Sequence, residues 1–209
     1  MKRYLTIAVL GALLAAAAVP ASALASVTIT VEPAPGEDVF SPVSTTLDLG
    51  DGTFDWQWGP NGQGAADQHN VLQTDALFTS GEPVPSRPPF RLAASAGSYS
   101  YYCTIHVGMD GDVNVRPALR GDASAAGNDD WIDFGWADAQ TTTGNRYDVR
   151  YRTGKKWKTW LKKTKKTSGK FGKRKKPVKV KPGRTYEFQA RSRQGKAKSG
   201  WSPSLVVEP

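Results

Sequence analysis

Apolar side chains recur at every second position along this chain, in short runs, and long helical periodicity is absent. Val27, Ile29 and Val31 alternate, as do Phe54, Trp56 and Trp58, then Tyr99, Tyr101 and Cys103, then Val113 and Val115. Further on, Ile132, Phe134 and Trp136 alternate, followed by Tyr147, Val149 and Tyr151, and by Tyr186, Phe188 and Ala190. A period of two places these side chains on one face of a strand and leaves the other face to solvent. Turn residues separate the runs, so an all-β chain is expected, and the runs from Ile132 onward read as a half-buried antiparallel sheet. GEPVPSRPPF at 81–90 is expected to be a loop, because its prolines would break a sheet ladder.

The N-terminus departs from this pattern. Lys2 and Arg3 precede an apolar stretch from Tyr4 to Val19, and PASALA then supplies small residues at Ala23 and Ala25. That order describes a cleavable secretory signal over residues 1–25, cut near Ala25. The stretch is short for a membrane span, which needs about 20 apolar residues. No second run of the kind occurs, so the mature chain is expected to be secreted or extracytoplasmic, without a transmembrane segment.

Charge divides the remainder. Residues 26–117 carry three basic and eleven acidic side chains, whereas residues 118–209 carry 23 basic and eight acidic ones. Both histidines and the single cysteine lie in the acidic part. Two domains with different tasks are therefore expected, 26–117 and 118–209, joined through a segment rich in Ala, Gly and Ser.

Cys103, His106 and Met109 follow one another at three-residue intervals in CTIHVGM, and His69 lies 34 residues before the cysteine. A strand that ends in a tight loop can aim three such side chains at one point. Thiolate and imidazole donors suit copper, and two histidines, one cysteine and a weak methionine form the electron-transfer copper pattern. Zinc fits less well, since structural zinc takes four strong donors and rarely a thioether. The alternative is a small buried cysteine, a gap-filling methionine and a surface histidine. It must explain why a chain with two histidines and one cysteine gathers them so closely, and why an exported chain keeps an odd thiol. With only two histidines, a trinuclear copper cluster or a zinc–copper site is excluded, and neither histidine lies near a G-x-S-x-G elbow.

GSYSYYCTIHVGMDGDVNV, with HNV at 69–71 and FTSG at 78–81, resembles the copper-binding signature of the cupredoxins, in their plastocyanin and pseudoazurin-like branch. The resemblance spans residues 27–116. It implies a Greek-key β-sandwich with one mononuclear type 1 copper, ligated by His69, Cys103, His106 and Met109. It also implies that the Asn70 side chain ties the histidine strand to the cysteine loop, and that Tyr102 lies near the electron-exchange surface. Ile105 stands where the family often has proline, a position that affects loop stiffness. The activity implied is that of a blue copper one-electron carrier, not an enzyme, with an unidentified redox partner protein. Copper storage or scavenging without redox cycling is the alternative.

VKPGRTYEF in the basic half resembles the turn and strand of a fibronectin type III module, an immunoglobulin-like β-sandwich, and GWSPS resembles its last strand; the resemblance covers residues 118–207. The resemblance makes Tyr186 a corner tyrosine whose hydroxyl bonds upstream backbone. Arginines between the apolar positions of RYDVRYR are expected to point outward. The stretch between Gly154 and Pro182 fits the module poorly. From Lys155 to Lys181 it carries fourteen Lys or Arg and no acidic residue, interrupted by Trp157, Trp160 and Phe171. One reading is a solvated hairpin whose aromatics pack on the sandwich edge. The other is a polyanion contact through Lys155, Lys156, Lys158, Lys162, Lys163, Lys165, Lys166, Lys173, Arg174, Lys175 and Lys176. An anionic cell-wall or membrane surface, or an acidic protein, would be the partner. Lysines also neutralise nucleic-acid phosphates, but export makes nucleic acid a poor partner. The basic half could instead lean on the acidic one, although screening over about 8 Å limits this to close approach.

Overall fold

A computed structural model describes residues 25–121, 131–173 and 176–209. The expected secretory signal lies outside the described residues except for Ala25, as do Arg174 and Lys175 of the expected polyanion contact. No helix among the described residues is long and apolar enough to cross a membrane.

The acidic part forms eight strands: β1 (Ala25–Val31), β2 (Phe40–Ser41), β3 (Ser44–Asp48), β4 (Gly52–Trp58), β5 (Leu72–Gln73), β6 (Phe90–Leu92), β7 (Gly97–Tyr102) and β8 (Asp110–Arg116). They build two four-stranded sheets, in the orders β2-β1-β4-β6 and β3-β8-β7-β5. The chain crosses repeatedly between the sheets, as a Greek-key sandwich requires. β1 pairs with β4 and β3 with β8 in parallel, so these sheets are mixed and not wholly antiparallel. The alternation read from the sequence sets the core. Ile29, Val31, Phe54, Trp56, Trp58, Tyr99, Tyr101 and Cys103 are buried, while Ser100 and Tyr102 on the other face of β7 are exposed. Tyr101 packs edge-on against Phe40 and Trp56, with ring centroids at 4.9 and 5.2 Å, an arrangement favoured by the ring quadrupoles.

The basic part forms β9 (Ala118–Leu119), β10 (Ile132–Gly135), β11 (Arg146–Arg152), β12 (Lys158–Thr164), β13 (Ser168–Phe171), β14 (Tyr186–Gln194), β15 (Ala197–Lys198) and β16 (Leu205–Val207). One sheet runs β13-β10-β9 and the other β12-β11-β14-β15, with β16 also on β14. This division is that of an immunoglobulin-like sandwich. Tyr186 is buried, and its hydroxyl accepts from the Lys181 N–H at 2.9 Å and reaches the Lys179 carbonyl at 3.5 Å, as a corner tyrosine does.

Two expectations for this half need correction. The lysine-rich stretch is not a hairpin: β12 pairs with β11 and β13 with β10, so it crosses from one sheet to the other and supplies regular strands of the module. GWSPS is not the last strand. It lies between β15 and β16, where the Ser202 N–H bonds the Ala190 carbonyl and Gly200 turns to the other sandwich. Arg150 faces away from the core, as expected, and is covered there: its guanidinium lies over the rings of Trp157 and Trp201, at 4.5 and 4.1 Å. Such stacking on an indole face is attractive.

Neutral groups join the two sandwiches. Ser98 and Gly200 exchange backbone hydrogen bonds of 3.2 and 2.8 Å, and the Ala96 N–H donates to the Trp136 carbonyl at 2.8 Å. The buried Tyr99 hydroxyl donates to the Ser95 carbonyl at 2.8 Å and lies 3.1 Å from the hydroxyls of Thr143 and Ser192. Gly97 has no substitute here, since a Cβ would fall 2.5 Å from the Ser199 hydroxyl. Among the described residues no ion pair links the acidic and basic bodies; the contacts named above are made by neutral groups.

Asp148 is the buried charge of the second sandwich. It accepts from the Lys163 N–H at 2.8 Å, from Arg191 Nε at 2.8 Å and from Arg193 Nε at 2.6 Å. Burial pushes its carboxyl up, but the Lys163 N–H and the two guanidiniums outweigh burial and hold it below the ordinary value. Asp148→Ala is expected to cost about 3 kcal/mol, the lower end for a broken buried pair, because both arginines keep some water. The lowered carboxyl stabilises the fold fully above its unfolded value of about 3.9, and that contribution falls away as pH drops through the folded value. Urea unfolding should therefore separate wild type and variant at pH 7, and the gap should narrow progressively as pH falls below about 3.9.

Candidate metal centre

The loop of residues 103–109 joins β7 to β8 and is closed at its base. The Cys103 N–H donates to the Met109 carbonyl at 3.0 Å, and the Met109 N–H to the His106 carbonyl at 3.4 Å. Gly108 turns the loop with φ of 83°, a conformation that suits a residue without Cβ. The inward face of β7 continues through Tyr99 and Tyr101 to Cys103, so the strand's own alternation buries the thiol.

His69 comes from a separate segment held from several sides. Its backbone exchanges two 3.0 Å bonds with Val84, and its carbonyl accepts from Trp58 Nε1 at 3.2 Å. The next residue, Asn70, connects this segment to the loop. Its Oδ1 accepts from the Thr104 N–H at 2.9 Å and the Thr104 hydroxyl at 3.1 Å, and its Nδ2 donates to the Gly81 carbonyl at 3.0 Å.

Two rings and one sulfur therefore converge. The Nδ1 atoms of His69 and His106 lie 2.9 Å apart, Cys103 Sγ lies 3.7 Å from His106 Nδ1, and all three donors fall within 4.8 Å of one another. Metal bonds of about 2.0–2.1 Å to nitrogen and about 2.3 Å to sulfur bring donors of one ion to such separations. The side chains of His69, Cys103 and Met109 are fully buried, whereas His106 keeps 21% of its side chain exposed. Met109 packs in the same core cluster as Cys103. Ile105, Val107 and Tyr102 are exposed around the loop. The donor set of His69, Cys103 and His106 is consistent with a type 1 copper site.

Two acidic residues near the rings were not singled out from the sequence. Glu32 is buried, and its Oε2 lies 3.1 Å from His69 Nε2. The same carboxylate accepts from the Gly36 and Asp67 N–H groups at 2.9 and 3.1 Å. Burial alone would raise the Glu32 carboxyl. Hydrogen bonds from Asp67, Gly36, the His69 ring and Ala66 outweigh it and hold the group below the ordinary glutamate value. The half-exposed Asp38 places Oδ1 at 3.6 Å from His106 Nδ1 and 3.9 Å from His69 Nε2. Continued alternation after Val31 would turn Glu32 outward; its φ of 56° turns it in, and periodicity carries no signal for that.

No protein-family profile and no curated protein matches this chain. Among solved structures, it is similar to a purple cupredoxin from Nitrosopumilus maritimus, at 24% identity and a TM-score of 0.34, over 42% of this chain and 97% of that one. It is similar to a copper-containing nitrite reductase from Thermus scotoductus SA-01, at 21% identity and a TM-score of 0.35, over 47% of this chain and 24% of that one. It is also similar to a two-module fibronectin type III segment of chicken tenascin, at 16% identity and a TM-score of 0.32, over 68% of this chain and 83% of that one.

Asn70→Ala removes one acceptor and one donor at once and leaves the Thr104 N–H short of a partner. It is expected to cost about 1 kcal/mol in urea unfolding at pH 7, the scale of a lost hydrogen bond, because Thr104 and Gly81 are exposed and water can take up the vacated partners.

Proposed function

We propose that this chain is a secreted one-electron carrier whose single copper ion is held by His69, Cys103 and His106, with Met109 as a weak fourth donor. The observation that carries the reading is the convergence of the two Nδ1 atoms and the Cys103 sulfur, at 2.9 and 3.7 Å from His106 Nδ1. Bound copper would supply a one-electron couple between Cu(I) and Cu(II). The protein's part is to keep its donors still. The Asn70 bridge, the Val84 bonds and the closed loop base hold three buried side chains in fixed directions, so little rearrangement accompanies a change of oxidation state. His106 presents a ring edge to solvent between exposed apolar side chains, Ile105 and Val107, with Tyr102 beside them. That edge gives a short route to a redox partner, and the apolar rim suits brief, weakly solvated contact. No catalytic step is assigned to the site.

Purified protein with added Cu(II) should develop an intense visible charge-transfer band. Cys103→Ser should abolish it, and Met109→Leu should keep it while shifting the reduction potential, since the axial donor tunes that quantity. A colourless wild-type protein would reject the reading. Tight Cu(I) retention with slow exchange toward every reductant would favour storage.

The basic sandwich is proposed to retain the carrier at an anionic surface. Lys155, Lys156, Lys158, Lys162, Lys163, Lys165, Lys166, Lys173 and Lys176 are all exposed, which supports this. Sedimentation with isolated cell walls should show binding that weakens as salt rises; binding that is absent or insensitive to salt would count against it.

A further inference from the structure

We propose that Glu32 is a positioning residue of the copper centre: its carboxylate holds the ring proton of His69 on Nε2, and its buried negative charge favours the oxidised ion. The second half of this inference rests on the copper reading above; the first does not.

The geometry is one-sided. Glu32 Oε2 lies 3.1 Å from His69 Nε2, and both side chains are excluded from water. A carboxylate already accepting two backbone N–H groups, from Gly36 and Asp67, has no proton to give and can only accept from the ring. The proton of His69 therefore sits on Nε2, and Nδ1 is left bare on the side facing Cys103 and His106. A carboxylate on the far nitrogen of a metal-bound histidine fixes ring orientation and raises its basicity.

The position is built for this role. Glu32 follows directly on β1 and adopts φ of 56°, a left-handed conformation that side-chain-bearing residues rarely take. The Glu32 N–H bonds the Val39 carbonyl at 3.0 Å, and the carboxylate cross-links residues 36 and 67. The backbone is thus held on both sides of the turn that brings the charge inward. Asp38 also approaches both rings but is half exposed. Water screens its charge, so it should bias the ion far less.

Two measurements test the proposal. In copper-free protein, long-range proton–nitrogen NMR should find the His69 proton on Nε2; a proton on Nδ1 overturns the positioning role. In copper-loaded protein, Glu32→Gln keeps the shape and removes the charge. It should lower the affinity for Cu(II) relative to Cu(I) at least tenfold, a rise in reduction potential of about 59 mV for a one-electron couple. Asp38→Asn should shift the potential by less than half as much. An unchanged potential in Glu32→Gln, or an equal shift in both variants, overturns the charge role. A wild-type protein that takes up no copper overturns the carrier reading and the charge role with it, while the tautomer measurement still decides the positioning role. That measurement needs no variant, so a poorly folding Glu32→Gln does not protect the proposal.

Discussion

The site depends on one side chain that donates nothing to a metal. Asn70 spans the gap between the histidine segment and the cysteine loop, bonding Thr104 twice and Gly81 once. Without it, the two segments would be tied only where β5 pairs with β7, at Leu72 with Tyr102 and Gln73 with Tyr101, and by packing. Packing fixes a buried side chain well, but it tolerates small sliding of whole segments. Hydrogen bonds of 2.9 to 3.1 Å to both segments remove that freedom where a carrier is least able to accept it. The aromatic core behind the loop does the coarser work: Tyr101 is wedged edge-on between Phe40 and Trp56 and keeps β7 in register.

The same strand reaches the junction with the second sandwich. Tyr99, at the far end of the inward face of β7, takes part in the hydroxyl cluster with Ser95, Thr143 and Ser192. Four residues of extended chain, about 13 Å, separate it from Cys103. Buried hydroxyls without partners are costly, so a cluster in which each hydroxyl finds another specifies a single docking arrangement more sharply than an apolar patch would. The second sandwich is thereby indexed to the strand that carries the thiol.

What the sequence disclosed, and what it hid, follows from the range of each interaction. Inward faces were legible because a strand repeats every two residues; Tyr99, Tyr101 and Cys103 are buried as the alternation requires. The donor cluster was legible because rare residue types crowd into one loop, and Tyr186 because a corner tyrosine has local context. Glu32 was hidden because a single positive φ reverses the side on which its side chain falls. The parallel pairing of β1 with β4 and β3 with β8 was hidden because two faces of a strand say nothing about its neighbour's direction. Arg150 faces outward as alternation requires, but alternation does not show that Trp157 and Trp201 close over it from other segments.

The lysine-rich stretch has two explanations that the fold helps to separate. β12 is an edge strand, and exposed lysines on an edge keep it from pairing with other chains. A register shift between β11 and β12, with Lys163 at φ of 52°, roughens that edge further. This accounts for Lys158, Lys162 and Lys163 on β12, and it extends to Lys170 on β13, which borders the other sheet. It does not account for Lys155, Lys156, Lys165, Lys166, Lys173 and Lys176, which lie outside these strands. Nor does it explain the sign, since acidic side chains would also keep an edge soluble and none occurs between Lys155 and Lys181. Crowded like charges repel one another, and a chain that needed only protection from aggregation would mix the two signs, as protein surfaces ordinarily do. The surplus of one sign beyond the edges is the part of the pattern that an anionic surface would explain.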